Sequence, residues 1–255
     1  MNLGYASSGW PMVIAEPVIE GKLIKRYARF MMDLRLEDGS VVTAHCPNSG
    51  SMEGCLLEGA TVLATQASNP ARRLKYTAEY LKLPTGWVGI NTHRTNLLVG
   101  EALRARAIPE LAAYHGVRAE VPYGAHSRVD FLLSGEGLPL CFVEVKNTTW
   151  PSPDGGIGFP DSVTERGLKH LRELRRVVRE GHRAVMFYLV NREDGTFFRP
   201  AYEKDPVYGK ALERAVKAGV EVIVRRATFA PPVFGVDGSL PALRRRGKTL
   251  VPLSA

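Results

Sequence analysis

The residues best suited to chemistry lie in two short segments, Arg128-Val129-Asp130-Phe131 and Val143-Glu144-Val145-Lys146. Side chains alternate across a strand, so Glu144 and Lys146 share a face with Leu140 and Phe142, while Cys141, Val143 and Val145 line the other. A strand apolar on both faces is central in its sheet, and an acid and an amine at its end are costly to desolvate unless paired or bound to a cation. The Ser-Gly-Glu-Gly segment at 134–137 suits a hairpin that brings Asp130 beside Glu144. Two adjacent carboxylates repel each other, and a hard divalent cation relieves that repulsion. The same residues also admit a cross-strand ion network in which Lys146 neutralises both acids. Two negative charges against one positive weight the balance toward a cation.

The elements that position these residues are legible from periodicity. Thr95 to Ala107 reads as a helix, with Leu97, Leu98, Ala102, Leu103 and Ala105 in helical spacing. Strands follow at 117–121, 128–133 and 140–146. Ser162 and Glu165 make a capping box for a long helix with an apolar stripe at Leu168, Leu171, Leu174 and Val178, ended by Gly181. Arg183 to Val190 is a buried strand, so the run from Leu140 to Val190 forms a parallel strand-helix-strand crossover of right-handed sense. Asp205 and Pro206 start a last helix that ends at Gly219, before a strand at 221–224.

The first ~90 residues read as β by alternation and turn chemistry. Phe30, Met32, Leu34 and Leu36 alternate with Arg29, Asp33 and Arg35, and Asp38-Gly39 supplies a hairpin turn before Val41. Further strands fit 17–24, 61–66, 76–83 and 87–90. Such a set closes into a small OB-like β-barrel, because closure removes exposed strand edges. The expected organisation is a barrel over residues 1–90, an α/β domain with a mixed central sheet over 91–230, and a C-terminal tail over 231–255.

A hydrophobic share of 45% with 24% charged residues excludes a disordered chain. The formal charge of +8 favours a polyanionic partner, nucleic acid before membrane. No apolar run is long enough to span a bilayer, the start carries no export signal, and three cysteines without CxxC spacing suit a reducing cytoplasm. Arg166, Lys169, Arg172, Arg175, Arg176 and Arg179 outnumber three glutamates on the long helix, whose N-terminus suits a phosphate held by Arg166 or Lys169. In the barrel, Lys25 and Arg26 lie near Tyr27, and Arg72 and Arg73 near Tyr76, a mixture of cations and aromatics that suits single-strand stacking. Arg244, Arg245, Arg246 and Lys248 add a basic cluster to the tail. His45 and Cys46 lack a matching partner set for a metal and read as structural.

Asp130 followed by Glu144-Val145-Lys146 resembles the PD-(D/E)xK nuclease superfamily, with Val129 where that motif carries proline. More specific are the segments 45–52, Asn91-Thr92 with Asn96, Arg128 to Phe131, Glu144 to Lys146, and 159–171. Their order and spacing resemble the sugar fermentation stimulation protein A family over roughly residues 15 to 225. The resemblance implies an N-terminal OB-like barrel, a restriction-endonuclease-like C-terminal domain, DNA binding without sequence preference, and a regulatory link to sugar metabolism, notably maltose. Carried onto this chain, it implies Asp130, Glu144 and the Val145 carbonyl as ligands of Mg²⁺ or Mn²⁺. Lys146 is then the residue that orients the attacking water, and Glu101 matches an acidic position in the helix before the sheet, with Glu120 a competing candidate. His170, in the same motif as Arg166 and Lys169, joins them as an expected DNA contact. An RNA partner stays open, since an OB-like surface suits either nucleic acid.

Overall fold

The computed structural model describes residues 10–14, 17–123, 127–231, 233–247 and 249–253. The first strand, β1 (Trp10–Val13), is followed by the barrel strands β2 (Val18–Tyr27), β3 (Met31–Arg35), β4 (Val41–His45), β5 (Thr61–Gln66), β6 (Tyr76–Leu83) and β7 (Gly86–Gly89). Next come α1 (Thr92–Arg104), β8 (Gly116–Tyr123), β9 (Ser127–Ser134), β10 (Cys141–Thr148), β11 (Trp150–Pro151) and β12 (Ile157–Phe159). The chain continues through α2 (Glu165–Arg179), β13 (Arg183–Val190), β14 (Phe198–Pro200), α3 (Pro206–Lys217), β15 (Glu221–Ala230) and β16 (Val233–Ser239), and ends in the hairpin β17 (Leu243–Arg246) and β18 (Thr249–Pro252).

The barrel strands run in the order β4-β3-β2-β5-β6-β7, and a parallel β4–β6 pairing, Ala44↔Tyr76 and His45↔Thr77, closes the ring. Met32 and Leu34 point into its core as their alternation requires, whereas Phe30 lies at the turn and is exposed. Gly39 takes a left-handed φ of 82° in the Asp38-Gly39 turn, and Asp38 accepts the Ser40 N–H.

The seven-stranded sheet has the order β1-β16-β15-β13-β10-β9-β8. Its centre, β10, β13 and β15, is parallel, and its flanks are antiparallel, so the sheet is mixed. Val185, Phe187 and Leu189 pack with Leu98, Val99 and Leu103 of α1 on one face. Ala184, Met186 and Tyr188 pack with Leu171, Leu174 and Leu212 of α2 and α3 on the other. Burying both faces explains why β13 reads as a continuous apolar run.

The chain ends depart from expectation. β1 pairs with β16 at the sheet edge rather than joining the barrel, and residues 233–239 complete the sheet instead of forming a tail. In the β17–β18 hairpin, Arg244 pairs with Glu213 and Arg245 with Asp154, each at 3.1 Å, so these two arginines of the basic cluster are folded and ion-paired. Lys248 lies outside the described residues. Both helix starts also move. α1 begins at Thr92 with Asn91 as its N-cap, and α2 is capped by Thr164, whose Oγ1 accepts the Gly167 N–H at 3.0 Å, rather than by Ser162. Among the described residues no helix is long and apolar enough to cross a membrane.

Candidate functional site

The site sits in a fork between strands. β9 pairs with β10 up to Phe131↔Val143, then parts from it while staying paired with β8 through Val121↔Val129 and Pro122↔Arg128. At the parting point Asp130 substitutes its side chain for the lost ladder, and its Oδ2 accepts the Val145 N–H at 2.7 Å. Asn96 Nδ2, from the second turn of α1, donates to Asp130 Oδ1 at 2.9 Å. Gly100 allows this approach, because a Cβ there would lie 2.9 Å from the Phe131 ring. Burial, and then the neighbouring Glu144 charge, push the Asp130 carboxyl up to about 6.

Glu144 is 2% exposed. Its Oε1 accepts from Lys146 Nζ and faces His170 Nδ1, and Lys146 Nζ lies 3.2 Å from that same nitrogen. Its Oε2 is buried and has no hydrogen-bond partner among the described residues. Burial favours the protonated acid, but Lys146 and His170 together outweigh it and hold the carboxyl below its usual range. The ion network admitted by the sequence is therefore present for Glu144 and Lys146, while Asp130 is held by neutral donors. A pocket of about 310 Å³ opens onto Asp130, Glu144 and Lys146 and reaches Asn96, Thr95 and Arg166.

The other expected site residues are distributed unevenly. Glu101 is exposed and absent from this pocket, because Thr95 and Asn96 are the residues α1 turns toward the fork. Glu120 is exposed on β8 with a left-handed φ of 54°, in a second pocket of about 570 Å³ whose lining includes Arg128, Arg166, Lys169 and His170. Positive φ at a non-glycine residue inside a strand is strained and clusters at functional sites. Arg166 is exposed and lines both pockets, and Lys169 lines the second.

His170 is not a surface contact: it is 4% exposed, wedged between Glu144 and Arg166. Its four-residue spacing from Arg166 places both on one helix face, the signal that could have joined it to the acid cluster. Arg26 turns inward and donates to the carbonyls of Asn48 and Gly50 at 2.7 and 3.1 Å, shaping the 48–51 loop. Lys25, 3.9 Å from Asp33 and above the Tyr27 ring, stays exposed, as does Arg73, while Arg72 is half-buried. None of these barrel cations lines the fork. Cys46 is buried, and the His45 ring packs at 6.2 Å from Phe30.

Comparison with known proteins gives this architecture a family. A model described as the SfsA N-terminal OB domain matches residues 24–90, and one described as the sugar fermentation stimulation protein RE domain matches residues 93–232. Sugar fermentation stimulation protein homologs from Geobacter sulfurreducens and Acidithiobacillus ferrooxidans are 50% identical over 233 residues and 48% identical over 227. Those alignments cover 91% and 89% of this chain, and 99% and 98% of the two relatives. The solved structure of Pyrococcus furiosus SfsA in complex with Ca²⁺ has the same fold, with a TM-score of 0.81 at 22% identity over 91% of this chain and 97% of that one. With matched domains in this order and relatives aligned along almost their whole length, the chain belongs to the sugar fermentation stimulation protein family.

Proposed function

We propose that this protein binds DNA without sequence preference and holds one divalent cation, Mg²⁺ or Mn²⁺, at Asp130 and Glu144. The observation that carries the reading is the fork itself: two carboxylates and Lys146 meet in one open cleft, and Glu144 Oε2 is a buried acceptor without a donor among the described residues. A cation supplies what that oxygen lacks and offsets the repulsion that raises the Asp130 carboxyl. Among the described residues no group of three His, Cys, Asp or Glu side chains is placed to hold a metal. Mg²⁺ suits such a sparse set, since it keeps several waters and takes one or two carboxylates plus phosphate oxygens. The Val145 carbonyl is the third ligand in this reading. The P. furiosus protein was solved with Ca²⁺, another cation that takes oxygen ligands.

The chain's own residues divide the work. Asn96 and the Val145 N–H orient Asp130, and His170 with Lys146 orients Glu144. Arg166 and Lys169 present cations beside the fork, where they hold phosphates in register without reading sequence. The link to sugar use carried by the family's name acts, in this reading, through that DNA binding.

A second reading, an active nuclease hydrolysing DNA or RNA, is favoured by the position of Lys146, which is ion-paired with Glu144 and lines the same cleft as Asp130. A bound cation supplies charge neutralisation and a more acidic water to such a reaction. The test is incubation of labelled single- and double-stranded DNA with EDTA, Mg²⁺ or Mn²⁺, with Glu144→Ala in parallel. Binding without cleavage in every condition supports the first reading. Metal-dependent cleavage lost in Glu144→Ala establishes the second, and absence of binding removes both.

A further inference from the structure

A cavity of about 240 Å³ lies between the 48–50 loop of the barrel and the α/β domain. It adjoins the carboxylate cleft: Ser49, Thr92, Asn147, Phe159 and Thr164 line both. Two side-chain amides line it from opposite domains. Asn48, 5% exposed, accepts the Gly50 N–H on its Oδ1 at 2.9 Å. Asn147 accepts on its Oδ1 from Thr95 Oγ1 at 3.0 Å and from Asn191 Nδ2 at 2.8 Å.

Those bonds decide how each amide is turned, because only its oxygen accepts. Among the described residues neither Nδ2 donates to a protein acceptor. The cavity thus presents two pre-oriented donors. Asp161, the one charged residue among the described residues that line it, adds an acceptor and is tied to the loop by Ser51 Oγ at 3.3 Å. The loop approaches so closely that a Cβ on Gly50 would come within 2.2 Å of Asp161 Oδ2. Phe159 and Pro160 supply an apolar wall.

These features select the ligand class. A phosphate is disfavoured, since among the described residues the lining offers one carboxylate and no cation. The space is smaller than the roughly 300–1,000 Å³ of pockets that hold drug-sized ligands, so a single ring system is the scale that enters. Amide donors beside a carboxylate acceptor match the mixed acceptors and amines on a nucleobase edge, with the apolar wall as its packing surface.

We infer that this cavity takes one unpaired nucleobase of the strand whose phosphate lies at the Asp130–Glu144 fork. The inference rests on the nucleic-acid reading of that fork and sharpens it: the substrate is single-stranded or locally opened nucleic acid, because a base inside a duplex reaches such a cavity only after unstacking.

The test uses a single strand carrying 2-aminopurine, the same sequence as duplex, and a free mononucleotide as competitor, all in EDTA. Mn²⁺ binding is measured separately by calorimetry. The single strand is expected to bind at least tenfold tighter than the duplex, with 2-aminopurine emission rising as the base leaves its stack. Val163→Trp, at an exposed position that lines this cavity and not the carboxylate cleft, is expected to lower single-strand affinity about tenfold and to leave duplex affinity and Mn²⁺ binding unchanged. Asn147→Ala lowers single-strand affinity in the same direction. Equal single-strand affinity for the parent and Val163→Trp overturns the inference, as does a preference for duplex. A mononucleotide that competes as well as the strand overturns the strand assignment. Loss of Mn²⁺ binding with these DNA results intact removes the cation site and leaves the cavity standing.

Discussion

Glu79 of the barrel and Arg94 in the first turn of α1 form a two-pronged ion pair, with Arg94 Nε and Nη2 donating to Oε2 and Oε1 at 3.1 Å each. Thr65 and Asn91 donate to the same carboxylate at 2.8 Å each, and Glu79 is only 2% exposed. Asn91 is also the N-cap of α1, its Oδ1 accepting the His93 N–H at 3.0 Å. One barrel carboxylate therefore fixes the start of the helix that carries Asn96 to Asp130.

Removing it should be costly. Glu79→Ala removes the buried carboxylate that Thr65, Asn91 and Arg94 donate to and is expected to destabilise the protein by about 3–5 kcal/mol. Glu79→Gln keeps some of the hydrogen bonds and loses less. Urea denaturation followed by fluorescence measures both, and a loss below about 1 kcal/mol for Glu79→Ala would show that the pair is dispensable.

The Asp154–Arg199 pair predicts a pH dependence. Arg199 is fully buried and Asp154 is 16% exposed, with Nε to Oδ1 at 2.9 Å. Burial alone would raise the Asp154 carboxyl, but hydrogen bonds from Ser152, Arg199 and Arg245 outweigh it and hold it at about 2. The folded state thus favours the ionised acid, so the stabilisation is complete above the unfolded value near 4 and fades as pH falls through about 2. Asp154→Asn should cost roughly 2 kcal/mol at pH 7 and progressively less below pH 4. A cost that stays constant from pH 7 to pH 2 would disprove the assignment.

Cation binding should appear as thermal stabilisation. At a concentration one hundred times the dissociation constant, Mg²⁺ or Mn²⁺ adds about 2.7 kcal/mol to the parent protein. Glu144→Ala should show no increase in melting temperature with either ion. Because burial and Glu144 push the Asp130 carboxyl up to about 6 in the folded state, its ionisation costs stability progressively from the unfolded value near 4 up to about pH 6, and in full above that, in metal-free buffer. Asp130→Asn is accordingly expected to be at least as stable as the parent in EDTA at pH 7, yet insensitive to added cation. Equal cation responses in all three proteins would rule out a site at the fork.

Arg166 tests the DNA face. If its exposed guanidinium neutralises one phosphate, Arg166→Ala weakens binding to unrelated sequences alike and lowers the slope of log affinity against log salt by about one. Filter binding at several salt concentrations reads the slope directly, and an unchanged slope removes Arg166 from the contact surface.

Local signals carried much of this fold in the sequence itself. Alternation marked the barrel strands, the Asp38-Gly39 turn joined two of them, and Asp205 with Pro206 opened α3, where Asp205 Oδ1 caps the Tyr208 N–H at 2.9 Å. The two-residue period of β10 placed Glu144 and Lys146 on one face, and the short 134–137 connection brought Asp130 alongside. Periodicity records which face of an element is buried, and spacing records which residues are near along the chain.

Neither records a partner supplied from far away, and that is where tertiary structure decided. Thr164 caps α2 with its own N–H held by Asp205 Oδ2 at 3.0 Å, a contact across 41 positions that moves the start away from Ser162. β1 joins the sheet because β16 offers an open edge. His170 is drawn inward by the buried Glu144, Arg26 is turned from solvent by the carbonyls of the 48–51 loop, and Glu101 is left outside because the packing of α1 against Phe131 aims Asn96 at the fork instead. A charged side chain takes its role from the charge or dipole that desolvation forces it to meet, and only the folded chain brings that partner within reach.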